Sequence, residues 1–258
     1  MPPVTSMQGV ARLCPNVLSS RMPWDILLIF FVLGVIVPWR GRKRLQELLA
    51  KPRVEPTERL SLYWSTIAFQ WIAAAAAAWR AWAHGFTAQQ LGLAVPGRLK
   101  LFAITVCGAA LIVTLQWLNL RRMGRSASPL RGPLQALAER ILPQSTTELI
   151  PFLALAVTAG LCEEFLYRGF AMAVLSRTGL PAGVVILLSA ILFGLAHLYQ
   201  GRAGFVSTTV LGLLFGISRA ALGSLLPVVV WHAGVDAVAG LAGPRYLLEH
   251  KSVTEAAN

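Results

Sequence analysis

Seven long apolar stretches, separated by basic segments, constrain this chain more than any other feature of its sequence. A helix needs about 20 mostly apolar residues to cross the hydrocarbon core of a bilayer, and backbone inside lipid must satisfy its own hydrogen bonds. The sequence therefore predicts an all-α, polytopic transmembrane helix bundle of seven spans, with an amphipathic helix at 130–145 as an eighth element. The apolar stretches lie at 24–39, 60–79, 101–119, 149–176, 181–198, 205–218 and 223–243.

Composition and charge support a membrane protein over the other classes. Hydrophobic residues make up 56% of the chain and charged residues only 13%, whereas soluble domains carry about a quarter charged residues. A nucleic-acid-binding protein would share the net charge of +12 but not the apolar composition, so we expect no nucleic-acid partner. Basic loops favour the cytoplasmic side, which predicts that 40–59 and 120–147 are cytoplasmic, with the N-terminus outside and the C-terminus inside.

The predicted spans divide the chain into four regions. The first apolar stretch is followed by Pro-Trp-Arg-Gly-Arg-Lys-Arg and not by a small-residue cleavage site, which favours a retained span over a signal peptide. We expect an N-terminal tail at 1–23, an N-terminal transmembrane region with basic cytoplasmic loops at 24–147, a transmembrane core at 148–243 and a C-terminal tail at 244–258.

Ionisable residues inside predicted spans cluster in the second half of the chain. A charge at the centre of a bilayer costs at least about 2.5–3.5 kcal/mol on insertion scales, so these groups are expected to face one another across a wet intramembrane cavity. Helical rise puts the acid and the two histidines at similar depths in the cytoplasmic half. The six residues are Glu163, Glu164, Arg168, His197, His232 and Asp236.

Helical spacing separates the roles of these residues. Glu164 and Arg168 stand four positions apart and can form an ion pair, which is more simply a structural pair than a catalytic one. Glu163 is turned by about 100° from Glu164 and can point elsewhere. His232 and Asp236 are also four apart, and from spacing alone they form either a buried structural pair or part of a site.

The chemistry of the cluster suits hydrolysis of an amide. A carboxylate and two imidazoles around water can activate that water and stabilise an oxyanion. The chain contains neither the serine-hydrolase pattern GxSxG nor the zinc-protease pattern HExxH. A pair of catalytic aspartates is excluded, because Asp25 and Asp236 are the only two in the chain and Asp25 lies in a terminal region.

Three ordered motifs carry a resemblance to a known family. Glu163-Glu164-Phe165-Leu166-Tyr167-Arg168 fits EExxxR, Phe193-Gly-Leu-Ala-His197 fits FxxxH, and His232-Ala-Gly-Val-Asp236 fits HxxxN/D. Over about 160–240 the chain thus resembles the type II CAAX prenyl endopeptidases, also called CPBP or Abi membrane proteases. The residue that accompanies His197, Phe193, is most simply a packing residue.

The resemblance implies an integral membrane endopeptidase of the glutamate type. Glu163 would be the general base that activates water with the help of His197, and His232 with residue 236 would bind the oxyanion. Glu164 and Arg168 would support the site. The expected partners are the lipid bilayer, which is the cytoplasmic membrane if the source is bacterial, and a membrane-associated or lipidated, CAAX-like protein or peptide substrate.

No cofactor is implied by the resemblance, but a metalloendopeptidase is a lesser alternative. Two histidines and a carboxylate are a common zinc ligand set, and here that set would be Glu163, His197 and His232.

The sequence departs from the family's pattern at Asp236, where the family more often has Asn. An ionised Asp236 would repel an oxyanion, so it is either kept protonated by apolar surroundings or holds His232 as imidazolium, and we favour the second.

Two alternative functions use the same residues. Intramembrane Glu and His are also expected in a proton-relay transporter, although such transporters usually have internal repeats, and none is evident here. A catalytically silent family member could instead regulate or bind a membrane partner. The complete set of polar residues argues against a silent protein, because nothing would then offset their insertion cost.

Overall fold

The computed structural model describes residues 22–125 and 131–248, and every regular element within these ranges is helical. Most of the predicted tails, 1–21 and 249–258, lie outside them. Eight helices follow one another in the described part: α1 Trp24–Leu49, α2 Pro56–Ala83, α3 Arg98–Arg125, α4 Arg131–Ile141, α5 Thr146–Arg177, α6 Ala182–Ala196, α7 Gly201–Leu222 and α8 Leu226–Leu247.

Five of these helices are long and apolar enough to cross a membrane: α1, α3, α5, α8, and α7 together with the short turn Leu198–Gln200. Large apolar side chains such as Leu99, Phe102 and Leu111 on α3 are exposed, as expected for helices that contact lipid. An integral membrane protein is thereby supported.

Two of the seven predicted spans do not qualify on length and composition. The stretch at 181–198 forms α6, whose 15 residues extend about 22 Å, less than the hydrocarbon thickness of about 30 Å. The stretch at 60–79 lies within α2, which is 28 residues long but carries polar side chains such as Gln70 among its apolar ones and is not among the candidate spans. The count of seven is therefore not confirmed. The amphipathic helix predicted at 130–145 is present as α4, whose Ala138 is buried.

Close packing of α8 on α5 positions the candidate site. Gly160 on α5 lies so near α8 that a Cβ atom there would come within 2.8 Å of the Val229 carbonyl oxygen and 3.0 Å of Ala233. Small residues allow this approach of two backbones, as is common between membrane helices. The two helices therefore meet one turn before Glu164 on α5 and beside His232 on α8.

A buried ion pair fixes α2 against α5. Arg59 donates from Nε and Nη2 to the two carboxylate oxygens of Glu148, each at 2.9 Å, and donates from Nη1 to the Val54 carbonyl at 2.7 Å. The Gln144 backbone N–H also donates to Glu148, at 2.8 Å. Both charged side chains are almost fully buried. This clamp holds the starts of two helices together and so sets how their later residues face each other.

Candidate active site

The structure brings the six ionisable residues of the three motifs into one cluster. Three of them lie on α5, His197 follows the end of α6, and His232 and Asp236 lie on α8. The Glu163 Oε2 atom is 4.0 Å from His197 Nε2 and also 4.0 Å from His232 Nε2. One carboxylate oxygen therefore faces both imidazoles.

The carboxylate of Glu163 has two different oxygens. Oε1 accepts a hydrogen bond of 2.6 Å from Gln70 Nε2 on α2. Oε2 is buried and has no hydrogen-bond partner within the described ranges. Because a buried polar atom without a partner is costly, Oε2 is the oxygen of this carboxylate that is suited to hold a water or substrate atom.

Glu164 and Arg168 form the predicted ion pair, with a distance of 2.9 Å between Arg168 Nη1 and Glu164 Oε1. Both side chains are fully buried. The same Oε1 also accepts a hydrogen bond of 2.7 Å from His232 Nδ1. Glu164 thus fixes the ring of His232 and directs its Nε2 toward Glu163, a contact that the spacing of the motifs did not predict.

The wide helical turn Phe165–Ala171 follows the two glutamates and contains Arg168. Such π-helical turns are rare in proteins, and those that occur are often at functional sites. Here the turn interrupts α5 directly after the residues that face the two histidines. The site therefore lies at an irregular point of the longest described helix.

His197 lies at the point where α6 ends. Its backbone has left the helical region, with φ −100°, and a short turn leads to Gly201, whose φ of +79° favours glycine. The His197 Nδ1 atom donates to the Phe193 carbonyl at 2.9 Å. Nδ1 is therefore protonated, and Nε2 is the ring nitrogen directed at Glu163.

Phe193 contacts more of the site than the sequence predicted. Its ring centroid lies 4.5 Å from that of His197, 5.8 Å from that of His232 and 4.1 Å from Arg168 Cζ. Two nitrogens of Arg168, Nε and Nη2, have no hydrogen-bond partner within the described chain. The aromatic face gives this guanidinium a favourable neighbour, and the ring packs both histidines against one surface.

Asp236 lies at the edge of the cluster. Its Oδ2 is 3.6 Å from His232 Nε2, which is beyond a good hydrogen bond. About a third of its side chain, 36%, is exposed. Together with Glu163 and Glu164, it places three carboxylates around the ring of His232.

Gln70 is the member of the site that sequence reasoning missed. It lies on α2, far in the chain from the three motifs, and only 8% of it is exposed. A signal was present, because a glutamine within an apolar helix is costly in lipid unless it is hydrogen-bonded. Its partner could not be predicted, since the contact depends on how α2 packs on α5.

A pocket of about 640 Å³ opens beside the cluster, a size typical of ligand sites. Glu163 and His197 are among its lining residues, and so are Gln70 and Tyr199. The remaining walls come mainly from α1 and α2. Glu163 and His197 therefore border a space that is large enough for a ligand.

The metal-binding alternative is not supported by the geometry. Nowhere in the part of the chain that the structure describes do three or more His, Cys, Asp or Glu side chains form a group that could hold a metal ion. Glu163, His197 and His232, the predicted ligand set, therefore do not form such a group.

Comparison with known proteins agrees with the three motifs. Residues 145–238 match the family model described as type II CAAX prenyl endopeptidase Rce1-like. The match extends from the loop before α5 into α8, so it contains all six ionisable residues of the cluster, whereas Gln70 lies outside it. The resemblance predicted from the sequence is thus confirmed for this segment. No curated protein and no solved structure matches the chain.

Proposed function

We propose, from the match of residues 145–238 to the type II CAAX prenyl endopeptidase model, that the protein is a membrane endopeptidase whose substrate is a membrane-associated or lipidated, CAAX-like protein. The observation that carries the proposal is the free Oε2 of Glu163, which lies 4.0 Å from the Nε2 atoms of both His197 and His232. That arrangement suits the activation of one water molecule.

The first chemical step is attack by water on the peptide carbonyl carbon. Two atoms 4.0 Å apart can both hydrogen-bond one water at about 2.8 Å, so Glu163 Oε2 and His197 Nε2 can hold it together. Glu163 takes a proton from the water as the new C–O bond forms. The carbonyl π electrons move onto its oxygen and give a tetrahedral intermediate.

The intermediate needs a donor for its negative oxygen. His232 Nε2 is the proposed donor. Nδ1 already donates to Glu164, so donation from Nε2 requires the doubly protonated imidazolium, which the carboxylates of Glu163, Glu164 and Asp236 around the ring favour. When the intermediate collapses, the C–N bond breaks and the amine nitrogen takes the proton that Glu163 holds. The products are a carboxylic acid and an amine, and Glu163 returns to its starting charge.

The remaining polar residues are proposed to position these groups. Gln70 donates to Oε1 of Glu163 and leaves Oε2 for the water. Asp236, as an ionised acid, would repel an oxyanion. Its distance of 3.6 Å from His232 Nε2 favours a role in controlling the charge of that ring over direct contact with the oxyanion.

The proposal is tested by a cleavage screen of detergent-purified protein against membrane peptides. Wild type is compared with Glu163→Ala and His197→Ala, and with His84→Ala as a histidine control outside the cluster. Each assay is run with and without a chelator. Cleavage by wild type and by His84→Ala, lost in the other two variants, supports a glutamate-type peptidase.

Other outcomes lead to different conclusions. Equal cleavage by all four proteins would assign the activity to a contaminant and reject the peptidase. Cleavage that a chelator abolishes would reject the metal-free mechanism. Folded protein without any cleavage would favour the silent family member that binds a membrane partner.

A further inference from the structure

The wall of the pocket beside Glu163 contains apolar and basic residues of α1. Leu33 and Val37 are the apolar ones, and Arg40 and Arg44 follow on the same helix. All four side chains line the pocket and so belong to one wall, although the helix contains a π-helical turn at Val32–Ile36. Lys43 lines the pocket as well, and so does one acidic residue of the same helix, Glu47.

Arg40 packs on the residue that precedes Gln70, the hydrogen-bond donor to Glu163. The Arg40 guanidinium lies over the ring of Phe69, with Cζ 5.6 Å from the ring centroid. Phe69 precedes Gln70, which donates to Glu163. Stacking uses the flat face of a guanidinium and leaves the N–H groups at its edge for an anion. Arg40 lines the same pocket as Glu163, so its guanidinium is available to an anionic group of a peptide bound there.

The other two cations are only weakly engaged by the protein. Lys43 lies over the Trp39 ring, with Nζ 5.5 Å from the centroid. Arg44 is 3.4 Å from Glu47 in a pair whose side chains are both more than 40% exposed, and such exposed pairs contribute little. Both remain able to interact with an incoming negative charge.

We propose that Arg40, Lys43 and Arg44 form a subsite for a carboxylate of the peptide substrate, either an acidic side chain or the C-terminal group. The apolar part of the same peptide lies along Leu33 and Val37. This inference rests on the proposed peptidase function. It adds a selectivity for anionic substrates that the family match does not cover, because α1 lies outside residues 145–238.

Arg42 offers a matched control. It is a basic and exposed residue of the same helix, between Arg40 and Lys43, but it does not line the pocket. A general preference for basic residues at a cytoplasmic membrane surface would involve Arg42 as much as Arg40. Different effects of changing Arg40 and Arg42 are expected only if the pocket contains a subsite.

The experiment measures binding separately from cleavage. Three fluorescein-labelled apolar peptides are used: one ends in a carboxylate, one ends in an amide, and the third is the amide peptide with one Leu replaced by Glu. Their Kd is measured by anisotropy in the Glu163→Gln background, which keeps them uncleaved, with Arg40→Gln or Arg42→Gln added. We expect Arg40→Gln to raise the Kd of at least one of the two anionic peptides about fivefold and to leave the neutral amide peptide unchanged, and Arg42→Gln to affect none of the three.

Each other outcome overturns the subsite. Equal effects of Arg40→Gln and Arg42→Gln would show that binding depends on general surface charge and not on a subsite. If neither variant changed the Kd, the subsite would be rejected. The measurement is repeated in phosphatidylcholine nanodiscs with and without phosphatidylserine. An effect of Arg40→Gln that needs phosphatidylserine and is the same for anionic and neutral peptides would assign the cations to lipid headgroups. Binding is measured without turnover, so this experiment tests the subsite alone. The peptidase assignment is tested separately, and it fails if wild type does not cleave any peptide.

Discussion

Glu164 on α5 accepts a hydrogen bond of 2.7 Å from Nδ1 of His232 on α8, across 68 positions of the chain. The same oxygen binds Arg168, so a pair that resembles a simple helix-stabilising ion pair also orients the imidazole of another helix. Orientation of a ring through its second nitrogen decides which atom faces the substrate. Glu164 therefore holds the ring of His232 in this orientation, and we propose it as a positioning residue.

Glu164→Gln tests this role, since it removes the charge but keeps the shape of the side chain. It leaves Arg168 buried without its counter-ion, which commonly costs 3–5 kcal/mol when one partner of a buried pair is lost. We expect a lower Tm and a fall of at least about tenfold in kcat. Thermal unfolding in detergent and steady-state kinetics measure the two effects.

The double variant Glu164→Gln/Arg168→Met separates stability from positioning. Removing both charges is expected to restore much of the Tm, because no unpaired charge remains. Activity stays low, because His232 Nδ1 still lacks its carboxylate. Recovery of full activity in the double variant would contradict the positioning role of Glu164.

Gln70→Leu is expected to lower kcat about tenfold with little change in KM. The variant removes the donor to Glu163 Oε1 but fills a similar volume, so both oxygens of that carboxylate then compete for the water. Gln46→Leu, at an exposed position of α1, is the control and should have no effect. A rise in KM without a change in kcat would instead make Gln70 a substrate-binding residue.

Asp236→Asn is expected to preserve the fold and to move the pH profile of kcat/KM. One of three carboxylates around the His232 ring is removed, and the protonation of an imidazole depends on the charge near it. Kinetics over a pH series, together with a Tm at each pH, provide the measurement. An unmoved profile would count against the pairing of Asp236 with His232.

Gly160→Val should reduce both Tm and activity. The Cβ of the new valine would come within 2.8 Å of the Val229 carbonyl oxygen. α8 must therefore move away from α5, which increases the distance between His232 and Glu164. Gly183→Val on α6 is the matched control, because nothing lies within 4 Å of a Cβ there. Equal losses in both variants would show that the effect comes from the valine itself and not from the contact between α5 and α8.

The sequence predicted the grouping of the six ionisable residues better than it predicted their contacts. Burial cost in lipid explains why Glu163, His197 and His232 meet, and this cost follows from the position of these residues within apolar stretches of the sequence. The bonds from Gln70 to Glu163 and from His232 to Glu164 depend on interhelical distances, such as the close approach at Gly160. Apolar periodicity does not determine those distances.

The number of spans was also harder to predict than the presence of helices. Each apolar stretch became helical, but hydropathy does not show where a helix ends. α6 stops at Ala196, because His197 leaves the helical region and Gly201 adopts a positive φ. The predicted span there is consequently too short by itself to cross the hydrocarbon core.

The buried clamp between Arg59 and Glu148 joins a helix from outside the matched segment to the helix that carries both glutamates. Under the proposed function, the residues that carry the chemistry lie mainly in the matched segment, and those that select the substrate lie in α1. A chimaera that retains α5–α8, keeps Arg59 and Gln70 on α2, and replaces α1 is expected to cut the same kind of bond in a different set of proteins.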